Sequence, residues 1–194
     1  MKTSIRRIQQ HLGVAADGIM GPGTLRAISS ALGIAPVPLW PTQAEVRRGT
    51  SVFGAPGREE ELVNILPAYP LYFGDRAVRS IRVHRLIAAH VQQALREVLE
   101  HYGAQEVHRL GFDQYGGSYN YRPTSSGKSL SMHAWGIALD FAPAGNGLKV
   151  KSPRATLSHP DCAAWWNIWE KHGAVSLGRA LNYDWMHLQF ARLE

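Results

Sequence analysis

The sequence contains very little cysteine: Cys162 is the single one among 194 residues. One cysteine cannot form an internal disulfide, so a small secreted fold held together by disulfides is excluded. The lone thiol fits folding in a reducing compartment. With 45% hydrophobic and 19% charged residues, the chain has the composition of a soluble globular protein that can bury a substantial core.

Long apolar runs are also missing. No segment approaches the roughly 20 apolar residues that a membrane-spanning helix needs, so membrane insertion is not expected. The first ten residues, MKTSIRRIQQ, become polar too early to contain the apolar core of a signal peptide. We therefore expect the protein to accumulate in the cytoplasm, and any action outside the membrane to require another factor that releases it.

Acidic residues are fewer than basic ones: 15 Asp and Glu stand against 21 Lys and Arg, which gives a formal net charge of +6. A basic protein favours an acidic partner or surface. The basic residues are dispersed, however, and no run of Lys and Arg with interleaved aromatic residues is present. We therefore expect a polyanionic surface as the partner and no binding of nucleic acid.

Residues 3–33 have the pattern of a helix, a turn-rich loop and a second helix, for which Thr24 is the predicted N-cap. The segment resembles the peptidoglycan-binding repeat. The resemblance is carried by Ile8-Gln9, Leu12-Gly13 and the stretch DGIMGPGT at 17–24. It implies a wall-binding helical module at 1–34, although most of the third helical segment of that family is missing. The alternative is a small helical hairpin that docks on the main domain.

A proline-rich stretch, APVPLWP at 35–41, predicts an extended and fairly stiff connection because it cannot continue a helix. We place the domain boundaries around it, with the helical module at 1–34, a linker at 35–49 and the main domain at 50–194. A short helix is expected at 45–48.

The main domain alternates strand-like and helix-like segments. The clearest helix pattern covers 84–102, where Gly103 is expected to end the helix, and a second helix is predicted at 161–172 with Trp165 and Trp169 on its buried face. Strands are predicted at 78–83, 107–113, 175–177 and 185–190. Helices mixed with antiparallel strands, without regular βαβ alternation, indicate the α+β class.

Two short segments carry the residues that bind metals. His133 and Asp140 lie seven residues apart across Gly136, and Asp184 and His187 follow about fifty residues later. Two His and one Asp make a three-ligand set for a catalytic zinc with one open position, and the second Asp could transfer protons. Seven residues of continuous strand would put His133 and Asp140 on opposite faces. We therefore expect His133 in a loop that curls back, Asp140 on the next strand, His187 on the last strand and Asp184 in the turn before it.

The pattern Ser-x-His-x-x-Gly-x-Ala-x-Asp followed by Asp-x-x-His resembles the zinc D-alanyl-D-alanine carboxypeptidase family. That family includes the vancomycin-resistance D,D-dipeptidases and the L-alanyl-D-glutamate endopeptidases of phage endolysins. The resemblance covers roughly residues 50–194 and implies an α+β fold whose central antiparallel sheet carries the metal, flanked by helices. It also implies that His133, Asp140 and His187 bind Zn²⁺ and that Asp184 is the catalytic acidic residue.

Three further residues are candidates for the site. Arg122 matches an arginine that precedes the first motif in the family, and it would stabilise the developing oxyanion or bind a substrate carboxylate. Ser131 would contact substrate or hold the loop. Trp135 would form a substrate wall or pack in the core.

The resemblances together predict a zinc metallopeptidase that hydrolyses an amide bond in the peptidoglycan stem peptide. The preferred bond is L-Ala–D-Glu, because Asp at position 184 is closer to the endolysin branch, and the alternative is a D-Ala–D-Ala carboxypeptidase. A third possibility from another class is a non-catalytic cell-wall-binding protein. We expect a monomer that acts on the cell wall after its release from the cytoplasm.

Overall fold

The fold is described from a computed structural model. The structure describes residues 2–18, 20, 22–33 and 40–194. The chain divides into two compact units, Met1–Trp40 and Pro41–Glu194. Most of the predicted proline-rich stretch, at 35–39, lies outside the described residues. Within the described ranges, no helix combines the length and apolar character that a membrane span needs.

The first unit contains helix α1 (Lys2–His11) and helix α2 (Pro22–Ala31). The buried side chain of Gln9 connects them: its Nε2 donates to Asp17 Oδ1 (2.6 Å) and Thr24 Oγ1 (2.9 Å). Its Oε1 accepts a hydrogen bond from the backbone N–H of Gly18 at 2.8 Å. Thr24 is thus inside the first turn, and its prediction as N-cap is wrong. The helix begins two residues earlier because proline favours the first helical position.

The second unit contains four helices and eight strands. The helices are α3 (Gln43–Arg47), α4 (Ala88–Arg109), α5 (Ala163–Lys171) and α6 (Leu177–Leu181). The strands are β1 (Leu62–Ile65), β2 (Leu71–Phe73), β3 (Arg76–Val78), β4 (Ile81–His84), β5 (Tyr115–Gly117), β6 (Ala138–Phe141), β7 (Val175–Ser176) and β8 (His187–Gln189). All three sheets are small: β1 pairs with β4, β2 pairs with β3, and the largest has the order β5-β6-β8-β7. Every one of these pairs is antiparallel, so the unit mixes helices with small antiparallel sheets.

The core lies between the four-stranded sheet and helices α4 and α5. Trp165 and Trp169 of α5 are fully buried, as predicted, and both pack against Phe141 of β6 with ring centroids 5.1 and 5.6 Å apart. Trp165 also stacks on Phe112, just beyond the end of α4, at 4.2 Å. Buried aromatic rings of this size dominate core energetics, so α5 fixes the back of strand β6.

In the scaffold, one prediction is confirmed and one is wrong. The chain leaves the helical conformation at Gly103, as predicted: this residue adopts φ 71° and ψ 164° and kinks α4, and a second helical segment then continues to Arg109. The strand predicted at 107–113 is instead the end of α4 and the turn that follows it. Val107 is buried on a helix face and its carbonyl accepts a hydrogen bond from the N–H of Phe112. The short apolar run therefore reflects core-facing positions of a helix end rather than a strand.

The structure also tests the predicted strand at 78–83 and the predicted short helix at 45–48. The predicted strand at 78–83 is divided between β3 and β4, because Val78 ends the ladder with β2 and Ile81 begins a separate ladder with β1. The short helix expected at 45–48 is confirmed as α3. It starts with a capping box in which Thr42 and Glu45 bond to each other's backbone N–H groups.

Candidate metal centre

His133 is presented by a tight turn that enters strand β6. The segment Met132–Trp135 forms a 3₁₀ helix, and Gly136 ends it in the left-handed conformation with φ 67°. A Cβ atom on Gly136 would lie 2.6 Å from Leu62 Cδ2 and 3.1 Å from the backbone nitrogen of His84. Only glycine combines this backbone angle with such close packing. The prediction that His133 lies in a loop curling back toward the strand is confirmed.

Asp140 and His187 meet across two neighbouring strands. Asp140 of β6 is directly opposite His187 of β8 in the antiparallel ladder, so their side chains project from the same face of the sheet. On the other side of β6, a Cβ atom on Gly116 would lie 2.8 Å from Asp140 Cβ. The absence of a side chain at Gly116 therefore leaves room for Asp140. The predicted positions of both residues on strands are confirmed.

The three predicted ligands form one buried cluster that could bind a metal ion. Each offers a ligand atom within 4.8 Å of the others. His133 Nε2 lies 3.3 Å from Asp140 Oδ2, and His187 Nδ1 lies 3.0 Å from Asp140 Oδ1. The residues are only 3%, 6% and 6% exposed in sequence order. Two imidazole nitrogens and one carboxylate are a common donor set for catalytic zinc.

Neighbouring groups orient both imidazoles so that one nitrogen of each points into the cluster. His133 Nδ1 is hydrogen-bonded to the carbonyl of Ser118. A carbonyl only accepts, so Nδ1 carries the hydrogen and Nε2 of the neutral ring keeps its lone pair. That nitrogen has no hydrogen-bond partner among the described residues, since its approach to Asp140 lacks hydrogen-bond geometry.

The second imidazole is oriented by a side-chain amide. Gln189 Nε2 donates to the carbonyl of Ala191 at 2.7 Å, which turns its Oε1 toward His187 Nε2, 3.2 Å away. His187 Nε2 therefore donates, and Nδ1 faces Asp140. Hydrogen bonds of this kind to the outer nitrogen are typical of histidines that bind metals.

The electrostatics of the cluster favour a positive charge at its centre. Burial disfavours the ionised form of Asp140, but the interactions with His133 and His187 outweigh it and lower the pKa of the carboxyl below its usual range. Burial likewise disfavours the charged form of His187, but the hydrogen bond and the charge of Asp140 outweigh it and raise its pKa. A nitrogen lone pair that faces a carboxylate oxygen at 3.0–3.3 Å is repelled by it unless a cation lies between the two atoms. A proton or a metal ion satisfies this requirement, so the residues fit a bound metal.

Asp184 lies in the turn before β8, as predicted. Its backbone has φ 53°, and its carbonyl accepts a hydrogen bond from the N–H of His187. Its own N–H donates to the carbonyl of Leu148 at 3.2 Å, which ties the turn to a neighbouring loop. Its buried Oδ1 has no hydrogen-bond partner within the described part of the chain. Burial raises the pKa of Asp184, partly opposed by the charges of His187, His133 and Arg122.

An open cleft of about 480 Å³ contains the cluster. The residues that line it include Arg47, Arg122, Ser131, Leu148, Asp184 and Gln189, in addition to the three candidate ligands. Arg122 is exposed in this cleft, and its carbonyl accepts a hydrogen bond from the N–H of Ser131. The Ser131 hydroxyl accepts from the N–H of His133 at 3.4 Å, which is the loop-holding role, while the side chain also reaches the cleft.

Trp135 is placed away from the cleft. Its indole is 3% exposed and donates a hydrogen bond to the carbonyl of Gly54 at 2.9 Å. It is not among the residues that line the cleft within the described chain. The core-packing alternative therefore describes its position, because the 3₁₀ turn that points His133 toward the sheet turns the neighbouring Trp135 away from it.

The residues that support the ligands were not predicted from the sequence. Gln189 is two residues after His187 on the same strand, and period-two alternation could have placed both side chains on one face. The Ser118 carbonyl and the Leu148 carbonyl are backbone groups, for which the sequence gives no signal. Arg47 lies more than seventy residues before the ligands, so only the tertiary fold brings it to the cleft.

Comparisons of the chain with protein-family models, with curated proteins and with solved structures gave no match.

Proposed function

We propose that the protein is a zinc-dependent peptidase that hydrolyses an amide bond in the stem peptide of peptidoglycan. The observation that carries the proposal is the convergence of two oriented imidazole lone pairs and one carboxylate beside a buried acidic residue, Asp184, in an open cleft. His133, Asp140 and His187 would hold the ion. A purely structural metal site would need neither the open cleft nor the additional acid.

The protein's own residues would supply the remaining chemistry. A bound zinc ion polarises a carbonyl and lowers the pKa of a water molecule from about 15.7 toward 7. Asp184 would accept a proton from the attacking water and return it to the leaving amine, and a raised carboxyl pKa suits a group that has to do both. Arg122, in the same cleft, would stabilise negative charge that develops on the scissile carbonyl oxygen or bind a substrate carboxylate.

The choice of substrate rests on sequence resemblance and is supported by the first unit. There, Gln9, Asp17 and Thr24, three positions of the wall-binding pattern, are joined by hydrogen bonds. The net charge of +6 suits an anionic cell wall. We place the cleavage at L-Ala–D-Glu, with D-Ala–D-Ala as the alternative bond. The proposed setting is phage lysis, in which the protein accumulates in the cytoplasm and reaches the wall after the membrane is permeabilised.

Mass spectrometry of purified peptidoglycan digested with the zinc-loaded protein tests the proposal. New N-terminal D-Glu on the released peptides is the expected product. Release of free D-Ala instead would support the carboxypeptidase alternative. An undigested wall to which the protein nevertheless binds would support the non-catalytic alternative and contradict the peptidase proposal.

A further inference from the structure

Arg47 is a cationic side chain in the cleft that the proposed reaction does not use. It is the last residue of α3, and its guanidinium lines the same cleft as Arg122. Its Nε donates to the carbonyl of Leu130 at 3.3 Å, and its Nη2 donates to Gln43 Oε1 at 2.9 Å. These two bonds hold the guanidinium in place and leave other donors of its five N–H groups free.

The helix that carries Arg47 is fixed to the sheet that carries the metal ligands. The N–H of Gln43 donates to the carbonyl of Arg192, and the N–H of Arg192 donates to the carbonyl of Pro41. Arg192 lies three residues after the end of β8, so α3 is attached to the chain just beyond the strand of His187. The Leu130 carbonyl that accepts from Arg47 belongs to the segment leading into the 3₁₀ turn of His133. Arg47 is therefore held by the segment before His133 and, through α3, by the segment after His187.

Within the part of the chain that the structure describes, neither Arg47 nor Arg122 has an acidic partner, whereas several other arginines of this unit do. Arg58, Arg82 and Arg85 each pair with a glutamate on the surface. Among the described residues, no carboxylate forms an ion pair with Arg47 or Arg122, although Asp184 exerts a long-range attraction on Arg122. Two arginines without counter-ions beside one cleft favour a ligand that brings its own negative charge.

The two cations are connected to the same segment of the chain. The carbonyl of Arg122 accepts from the N–H of Ser131, and Arg47 bonds to the adjacent Leu130 carbonyl, so both belong to the approach to His133. Asp184 is instead bonded to Leu148 on the approach to β8.

We propose that Arg47 is a substrate-binding residue that pairs with a carboxylate of the peptide and thereby selects acidic stem peptides over their amidated forms. This inference rests on the proposed peptidase function, because it assigns specificity to the same cleft. The guanidinium is exposed, so a single charge-assisted pair there has a modest effect on affinity. The ion pair would form equally in the ground state and in the transition state, so its loss would change KM more than kcat.

The test uses two synthetic stem peptides that differ only in a free carboxylate or a carboxamide on the residues flanking the scissile bond. The zinc-loaded protein is expected to have a higher kcat/KM for the carboxylate peptide. Arg47→Ala is expected to lower the carboxylate-to-carboxamide ratio about three- to tenfold, and Arg47→Lys to restore part of it. The ratio is insensitive to a partly unfolded sample, since lost protein lowers both rates equally.

Arg48→Ala is the matched control, because Arg48 is the next residue of the same helix end and does not line the cleft within the described chain. It removes the same charge and is expected to leave the ratio unchanged. The proposal for Arg47 would be overturned if Arg47→Ala had the same carboxylate-to-carboxamide ratio as the unaltered protein, or if Arg48→Ala lowered that ratio equally. Hydrolysis of the peptides in these experiments would still uphold the peptidase function.

Calorimetric binding of the same two peptides separates this inference from the proposed function. If neither peptide is cleaved but the carboxylate peptide binds more tightly, and Arg47→Ala removes that preference, then Arg47 binds carboxylate and the peptidase proposal is wrong. If neither peptide is cleaved or bound, both proposals are wrong. Cleavage without any carboxylate preference leaves the peptidase proposal in place and refutes the role of Arg47.

Discussion

The side chain of Gln189 determines which nitrogen of His187 faces the metal centre, so replacing it by leucine tests how that centre is built. Leucine is close to glutamine in size but cannot accept a hydrogen bond. In Gln189→Leu, the Nε2–H of His187 and the carbonyl of Ala191 both lose the partner that they have at 3.2 and 2.7 Å. Gln189 is only 1% exposed, so water does not readily replace it.

Two magnitudes follow from these contacts. Each buried polar group left without a partner costs about 1–3 kcal/mol, so the free energy of unfolding of the metal-free protein should fall by about 2–6 kcal/mol. Loss of an outer hydrogen bond to a histidine ligand typically lowers metal affinity about 10–100-fold. That change corresponds to about 1.4–2.7 kcal/mol of binding free energy.

The assay is a zinc titration in competition with a chromophoric chelator, combined with guanidinium unfolding of the metal-free protein. Asn146→Leu is the control. The buried Asn146 amide bonds to the Ala142 carbonyl, to Thr156 Oγ1 and to the Leu157 N–H, away from the metal ligands. It should destabilise the fold to a similar degree without weakening zinc binding. Equal zinc affinity for Gln189→Leu and the unaltered protein, or equal weakening in both variants, would refute the orienting role of Gln189.

Three further predictions concern Asp184, the pH dependence that His187 confers, and Gly136. Asp184→Ala should lower kcat/KM about 10²–10⁴-fold with zinc still bound, and loss of the zinc as well would identify Asp184 as a ligand. His187 has a pKa raised above its usual 6.5, so zinc has to displace a proton below that pKa. The apparent zinc affinity should therefore rise about tenfold per pH unit from pH 6.5 upward and level off above the raised pKa; titrations that give a flat profile would contradict this. For the same reason, the stabilisation that protonated His187 gives the metal-free protein is complete below pH 6.5 and is lost as the pH rises through the raised pKa. Gly136→Ala should lower the free energy of unfolding by about 1–2 kcal/mol because of the φ of 67° alone, and the clash of the new Cβ with Leu62 should lower it further. An unchanged denaturation midpoint would argue against the tight turn.

The local geometry of the ligands could be predicted from the sequence because few backbone paths fit it. A gap of seven residues is wrong for one continuous strand, and Gly136 marks the place where the chain can turn back. The strand after Gly136 and the strand around His187 then had to be neighbours for one metal to bind both. Residue types and spacing contain this information, and the structure agrees with it.

The parts that could not be predicted depend on tertiary packing. The apolar residues around Val107 have the composition of a strand, but one face of a helix end uses them equally well. The break at Gly103 was predicted, but the second helical segment after it, which continues to Arg109, was not. Trp135 lies two residues after His133, but the turn directs it to the core. The supporting roles of the Ser118 carbonyl and Arg47 arise from contacts between distant segments, which no local pattern records.

His133, Asp140 and His187 are proposed to bind one zinc ion together. The most direct measurement is equilibrium dialysis against buffered free zinc followed by metal analysis of the folded protein. We expect one zinc per chain for the unaltered protein and for Asp184→Ala, and loss of that zinc in each of His133→Ala, Asp140→Ala and His187→Ala. Folded protein that binds no zinc, or full retention of zinc by these three ligand variants, would contradict it.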